Sequence, residues 1–237
     1  MWGIGLAELC AHIKAGNDLN REEASAAAHQ LAEGQGSLEE REALLLALQE
    51  KGESPVEVAA FASVFRELAR DPELGELAEH AFDFAGTGGD KSGTANLSTM
   101  ASMLVASMGV PVVKHGNRSI TSKCGSADLM GALGFPLEAD NAKLRECLER
   151  FHFTFLFAPR FHPAWKHVAE VRQSLAAKGH RTIFNILGPL INPARTPYQV
   201  MGVYAKHWVG PLAGALGSLG VRRGLLANGE PFEGGTL

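Results

Sequence analysis

The chain has 237 residues, enough for one large domain or two small ones with a proper apolar core. Hydrophobic residues make up 46% and charged residues 20%, and a formal net charge of -4 gives no global pull toward nucleic acid or an anionic membrane. No apolar run approaches the ~18 residues of a membrane span, and no secretory signal pattern opens the chain. Cys10, Cys124 and Cys147 are odd in number and lack metal-ligand spacing, so a reducing cytoplasm is the expected location.

The first part of the chain, to residue 78, reads as helices only. Leu19 to Ala32 opens on Asn20 with acidic residues behind it, an N-cap followed by a first turn suited to the helix dipole. Ser37 and Glu40 make a capping-box pair ahead of an apolar stripe over Ala43 to Gln49. Ser54-Pro55 opens a third helix, with Pro where its missing donor costs little. Val56, Ala59, Ala60, Ser63, Val64 and Leu68 then recur at helical spacing.

From Ala81 the pattern changes to alternating strands and helices. Strands are expected at 81–85, 110–114, 153–158, 199–204 and 223–227, with helices at 96–108, 126–134, 140–150, 162–178 and 207–219. Strand, loop and helix in repetition imply an α/β domain with a mostly parallel sheet flanked by helices. In such sheets ligands bind beyond the carboxyl ends of the strands.

The first of those ends is the most informative stretch of the chain. Gly86, Gly88 and Gly89 fall within four residues after the apolar run Ala81, Phe82, Phe84, Ala85. Asp90, Thr94, Asn96, Ser98 and Thr99 follow as a long apolar helix opens. Backbone N–H groups and a helix N-terminus at the end of a strand form an anion site, and glycine lets the backbone approach the ligand. The loop matches neither common fingerprint: Asp90 precedes Lys91 where a Walker loop needs Gly, and Lys91 stands where a Rossmann loop needs its third Gly. A tight strand-to-helix turn without a ligand is the alternative reading.

Two further loops lie at the same expected sheet edge. Lys114 to Asp128 carries two Lys, one Arg and four hydroxyls, Ser126 among them, and Arg and Lys both suit phosphate or carboxylate. A solvated charged loop is the bland reading. Phe157 to Lys166 contains His162, either a packing residue or a substrate contact; His162 and His167 are five apart, which does not suit zinc on one helical face. No Ser-His-Asp, Cys-His or paired-acid arrangement is evident.

Six segments appear in order: Gly86-Thr-Gly-Gly-Asp90, Asn96-Leu-Ser-Thr99, Lys114-His-Gly-Asn-Arg118, Gly125-Ser-Ala-Asp128, His162-Pro-Ala-Trp-Lys166 and Arg181-Thr-Ile-Phe-Asn-Ile-Leu-Gly-Pro-Leu190. Together they resemble the anthranilate phosphoribosyltransferase family, over roughly residues 17 to 225. The resemblance implies a helical domain (1–78, completed by helices within about 162–190) and an α/β domain (79–237), related in fold to pyrimidine nucleoside phosphorylases. It also implies transfer of ribose 5-phosphate from phosphoribosyl pyrophosphate to the amine of anthranilate, with magnesium, in a homodimer formed through the helical domain.

The resemblance assigns Gly86, Thr87, Gly88, Gly89, Asp90, Thr94, Asn96, Ser98, Thr99, Lys114 and Ser126 to phosphoribosyl pyrophosphate. Gly86, His115, Asn117, His162 and Arg172 are assigned to anthranilate, with Arg172 the partner of the carboxylate, and Ser98 resembles a magnesium ligand. Two departures stand out. Leu175-Ala-Ala-Lys-Gly-His-Arg181 is longer than the family's Leu-Gly-x-Arg link. Family members also run well past this length, so the α/β domain is expected to be incomplete at its C-terminus; the family's Asp-Glu metal pair is missing from the tail, where Glu230 and Glu233 are the weak substitutes. The competing readings are a nucleoside phosphorylase-like enzyme and a non-catalytic phosphate-binding relative.

Overall fold

The computed structural model describes residues 3–88, 95–119 and 124–229. Four helices come first: α1 (Leu6–Lys14), α2 (Arg21–Ala32), α3 (Leu38–Lys51) and α4 (Pro55–Glu67). The starts of α2 to α4 follow from local chemistry. Asn20, Ser37 and Ser54 accept from first-turn N–H groups, while Glu23, Glu40 and Glu57 reach back to close capping boxes. Glu57 does more than cap, because its buried carboxylate also accepts from the Leu19 N–H and from Lys51 Nζ, each at 2.9 Å. Helix α1 is an element that the sequence reading left unmarked; it buries Leu6, Leu9, Cys10 and Ile13.

The second half alternates as expected. Strands β1 (Phe82–Gly86), β2 (Val112–Gly116), β3 (Phe153–Phe157), β4 (Tyr198–Gly202) and β5 (Arg223–Ala227) form one sheet in the order β3-β2-β1-β4-β5, all neighbours parallel. Between them run α5 (Leu97–Ser107), α6 (Ser126–Ala132), α7 (Asn141–Phe151), the short α8 (Ala158–Phe161), α9 (Trp165–Ala177), the short α10 (Phe184–Leu187) and α11 (Val209–Ser218). The helix expected from residue 162 starts only at Trp165, because Pro163 keeps His162 out of the helical region, at φ −116° and ψ 72°.

Helices α5 and α6 cover one face of the sheet, against Phe84, Val112, Phe155 and Phe157. The other face carries α7 against Val113 and Leu156, and the largest apolar core beside it. That core joins α1 to α4 with α9, residues 183–191, α11 and Met201 and Val203 of the sheet side. Phe184 sits at its centre, edge-on to Phe61, Phe65 and Trp165. The bundle and the sheet therefore share apolar packing around residues 183–191. Among the described residues no helix is long and apolar enough to cross a membrane.

Candidate active site

Strand β1 ends at Gly86, and the next two residues set the direction of the loop. The Thr87 N–H donates to the Gly202 carbonyl at 3.0 Å, and Thr87 Oγ1 accepts from the Tyr204 N–H at 3.0 Å. Gly88 then turns with φ +66°, a conformation that favours glycine. Predicted residues Gly89, Asp90 and Thr94 lie outside the described residues, as do Glu230 and Glu233. The chain returns at Asn96, the N-cap of α5, whose Nδ2 donates to the Gly125 carbonyl at 3.4 Å and so ties the helix start to the cationic loop. Ser98 stands in the first turn. Thr99 faces inward, fully buried, with no hydrogen-bond partner for Oγ1 among the described residues.

Lys114 is the central cation. Only 1% exposed, it rises from β2 so that its ammonium donates to the Phe84 carbonyl and to Ser98 Oγ, the latter at 3.3 Å. Burial lowers its pKa to about 8, against the attraction of Asp83. Asp83 is fully buried in β1, and burial raises its pKa to about 6, opposed first by the Lys114 charge. Both groups are thus ionised near neutral pH. A buried cation beside a helix N-terminus and a glycine turn is a combination whose chemistry suits an anion such as phosphate.

The loop after β2 is held by backbone contacts. The Asn117 carbonyl accepts from the Ala127 N–H at 3.1 Å and from Ser126 Oγ at 3.4 Å. Asp128 accepts from the Gly125 and Ser119 N–H groups at 2.9 and 3.0 Å and pairs with Arg118 at 3.1 Å. Glycine is required at 125: a Cβ there would stand 2.3 Å from the Ser119 nitrogen and 2.6 Å from the Arg118 carbonyl carbon.

A second centre forms on the opposite side of β2. His115 and His162 meet with Nε2 to Nε2 at 3.1 Å, both almost fully buried. Burial first, and then the His162 ring, hold the His115 pKa well below the usual imidazole range, and burial lowers His162 to about 4. Both rings are therefore neutral near pH 7, one donating and the other accepting. Arg172 lies on α9 with its guanidinium 4.6 Å from the Trp165 ring centroid and 5.9 Å from that of Phe184. Burial lowers its pKa, and among the described residues no carboxylate pairs with it. Among the described residues, no hydrogen bond joins Arg172 to either histidine. The long link ahead of Arg181 is absorbed at the end of α9, where Ser174 Oγ and Lys178 Nζ both donate to Glu42 on α3.

Asp83 and Asn192 are site residues that the sequence reading missed. A lone carboxylate inside an apolar strand was the available signal for Asp83, because such a group is kept only where it has partners. For Asn192 no local signal exists. Ser98 Oγ, the expected magnesium ligand, accepts from the Lys114 ammonium, and among the described residues no group of three or more His, Cys, Asp or Glu side chains could hold a metal.

A helical bundle followed by a five-stranded parallel sheet, with a buried cation at the strand ends, is the class of architecture that comparison with known proteins also finds. The helical bundle domain model of a glycosyl transferase family matches residues 7–69, and the a/b domain model of that family matches residues 78–234. The chain belongs to this glycosyl transferase family. Within it, the chain is 48% identical over 218 residues to anthranilate phosphoribosyltransferase of Methanopyrus kandleri, covering 90% of this chain and 62% of that one. It is 46% identical over 215 residues to the Thermus thermophilus enzyme, covering 91% and 64%.

Among solved structures, the anthranilate phosphoribosyltransferase of Thermus thermophilus superposes with a TM-score of 0.86 at 45% identity, over 94% of this chain and 66% of that one. The Saccharomyces cerevisiae enzyme, in complex with PRPP (phosphoribosyl pyrophosphate) and Mg, gives 0.75 at 26% identity, over 87% and 59%. The chain thus spans a little over three fifths of the length of these curated relatives.

Proposed function

We propose that the chain transfers the 5-phosphoribosyl group of phosphoribosyl pyrophosphate to the amine of anthranilate, releasing pyrophosphate. The observation that carries this reading is the buried Lys114 ammonium, held against Ser98 at the start of α5 and beside the end of β1. In support, the relatives named above are anthranilate phosphoribosyltransferases. Gly86, Thr87, Gly88, Gly89, Asp90, Thr94, Asn96, Ser98, Thr99, Lys114 and Ser126 are assigned to phosphoribosyl pyrophosphate. Gly86, His115, Asn117, His162 and Arg172 are assigned to anthranilate.

The chemistry asks for little covalent help from the protein. As the bond from the anomeric carbon to pyrophosphate lengthens, negative charge grows on the leaving oxygens and positive charge on the ribosyl carbon. Lys114 and the N–H groups around Gly88 and α5 stabilise the leaving group. The aromatic amine attacks with its own lone pair and sheds a proton afterwards, so positioning supplies much of the acceleration. Arg172, with no carboxylate partner among the described residues, is available for that of anthranilate, and the neutral His115–His162 pair does not compete with it. Ser98 would help to hold magnesium, which would supply positive charge to the pyrophosphate oxygens, and a homodimer through the helical domain belongs to the same reading.

The test is the fluorescence of anthranilate with the chain, phosphoribosyl pyrophosphate and magnesium. A decay that needs all three supports transfer. Binding of phosphoribosyl pyrophosphate with no decay would reduce the assignment to a phosphate-binding protein.

A further inference from the structure

The ladder between the central strand β1 and its neighbour β2 stops short. β2–β3, β1–β4 and β4–β5 each keep register over five pairs, whereas β1 and β2 share one, Phe82↔Val112. In a parallel ladder alternate residues turn both backbone groups toward the same neighbour. The Phe82 N–H donates to the Pro111 carbonyl at 2.9 Å, so Phe84 on β1 and Val113 and His115 on β2 also turn toward each other. A further rung would join the Phe84 N–H to the Val113 carbonyl and the His115 N–H to the Phe84 carbonyl.

Side chains take those groups instead. Asn192 Nδ2 donates to the Val113 carbonyl at 2.9 Å, the His115 N–H donates to Asp83 Oδ1 at 3.3 Å, and the Lys114 ammonium donates to the Phe84 carbonyl. All three side chains are buried. Burying three polar side chains, two of them charged, costs free energy that one ordinary rung would avoid. The far edge of β1 is treated in the opposite way: five pairs with β4 are extended by Thr87 on Gly202 and Tyr204. The opening is therefore local to the edge that carries Lys114.

We infer that Asp83 is a positioning residue: its carboxylate oxygen takes the His115 N–H, holds the β1–β2 rung open and leaves the Phe84 carbonyl to fix the Lys114 ammonium. The inference rests on the proposed function for the identity of the ligand that Lys114 meets. Without an acceptor at position 83, the His115 N–H returns to the Phe84 carbonyl and Lys114 loses its anchor. An Asn at 83 keeps the acceptor. Lys114 and His115 on β2, with His162 against His115, are the ionisable groups around the carboxylate.

Calorimetric titration with phosphoribosyl pyrophosphate and magnesium compares wild type, Asp83→Asn and Asp83→Ala. At pH 5.5, below the Asp83 pKa of about 6 so that wild type has also largely lost the charge beside Lys114, Asp83→Asn is expected to bind within about threefold of wild type, and Asp83→Ala about tenfold or more weaker, the scale of one buried hydrogen bond. Equal loss in both variants, or wild-type affinity in Asp83→Ala, overturns the inference. A second measurement needs neither ligand nor a stable variant. The His115 amide resonance of the wild type should shift with a midpoint of about 6, following Asp83. A flat His115 amide between pH 5 and 7 overturns the inference. A titrating amide in a chain that does not bind phosphoribosyl pyrophosphate supports the role of Asp83 and sinks the functional reading alone.

Discussion

Arg172 keeps its charge in a half-buried setting by lying across Trp165 and Phe184, which attract the guanidinium, and no carboxylate among the described residues pairs with its hydrogen-bond fork. Arg172→Ala is expected to raise the apparent Michaelis constant for anthranilate by about tenfold to a hundredfold, the worth of a charge-assisted pair. The constant for phosphoribosyl pyrophosphate should hardly move. If steady-state kinetics instead show only the second constant rising, Arg172 belongs to the phosphate side. Gly125 makes a different argument, from space alone. Every atom that a Cβ would strike there is backbone, from Asn117 to Ser119, so the loop must shift as a unit. Gly125→Ala should weaken phosphoribosyl pyrophosphate binding by about tenfold through displaced donors. Wild-type affinity by calorimetry would show that the 117–125 loop is not part of the cradle.

At the scale of the elements, β1 and the turn between α8 and α9 carry titrating groups, Asp83 and His162, with opposite effects on stability. His162 has a folded pKa of about 4 against an ordinary value of 6.5, so its contribution is full above pH 6.5 and is lost as pH falls through 4. Asp83 is raised from 3.8 to about 6, so its contribution is full below 3.8 and is lost as pH rises through 6. Each shift is worth roughly 3 kcal/mol, and between pH 4 and 6 the two slopes oppose each other. His115, also lowered, adds to the histidine side. Urea midpoints should therefore fall with acid more steeply in Asp83→Asn than in wild type. Parallel pH profiles would mean that Asp83 titrates as an exposed carboxylate. This coupling also marks how far the sequence could be read. Capping boxes, the strand–helix alternation and the cationic loop rest on residues a few positions apart, and each was legible. The missing rung joins Asp83 to His115 across 32 positions and Asn192 to Val113 across 79, and the imidazole pair spans 47. Only the register of the folded sheet brings such groups together, and no local pattern encodes it.

For the molecule as a whole, the decisive feature is that the bundle has no core of its own: its buried cluster runs on into residues of the sheet side. Leu9, Leu44, Phe61 and Phe65 of the bundle share one buried cluster with Val168, Phe184, Leu187, Met201 and Leu216. Phe184 bridges the halves, touching Phe61, Phe65 and Trp165 by ring edges and lying beneath Arg172. A core continuous across two architectural units should unfold cooperatively, since neither side can expose its surface without stripping the other. Phe184→Ala removes the ring at that junction and should cost about 3 to 5 kcal/mol. The same change loosens the rings that support Arg172, so anthranilate affinity should fall with stability. Far-UV circular dichroism follows all the helices, and, in a Trp2→Phe background, the fluorescence of Trp165 and Trp208 reports on the junction and on the start of α11. In denaturant the two signals should move together in wild type and shift by the same amount in Phe184→Ala. Two separated transitions, with only one displaced by the substitution, would mean that the bundle folds by itself and that the shared core contributes little to coupling it to the sheet.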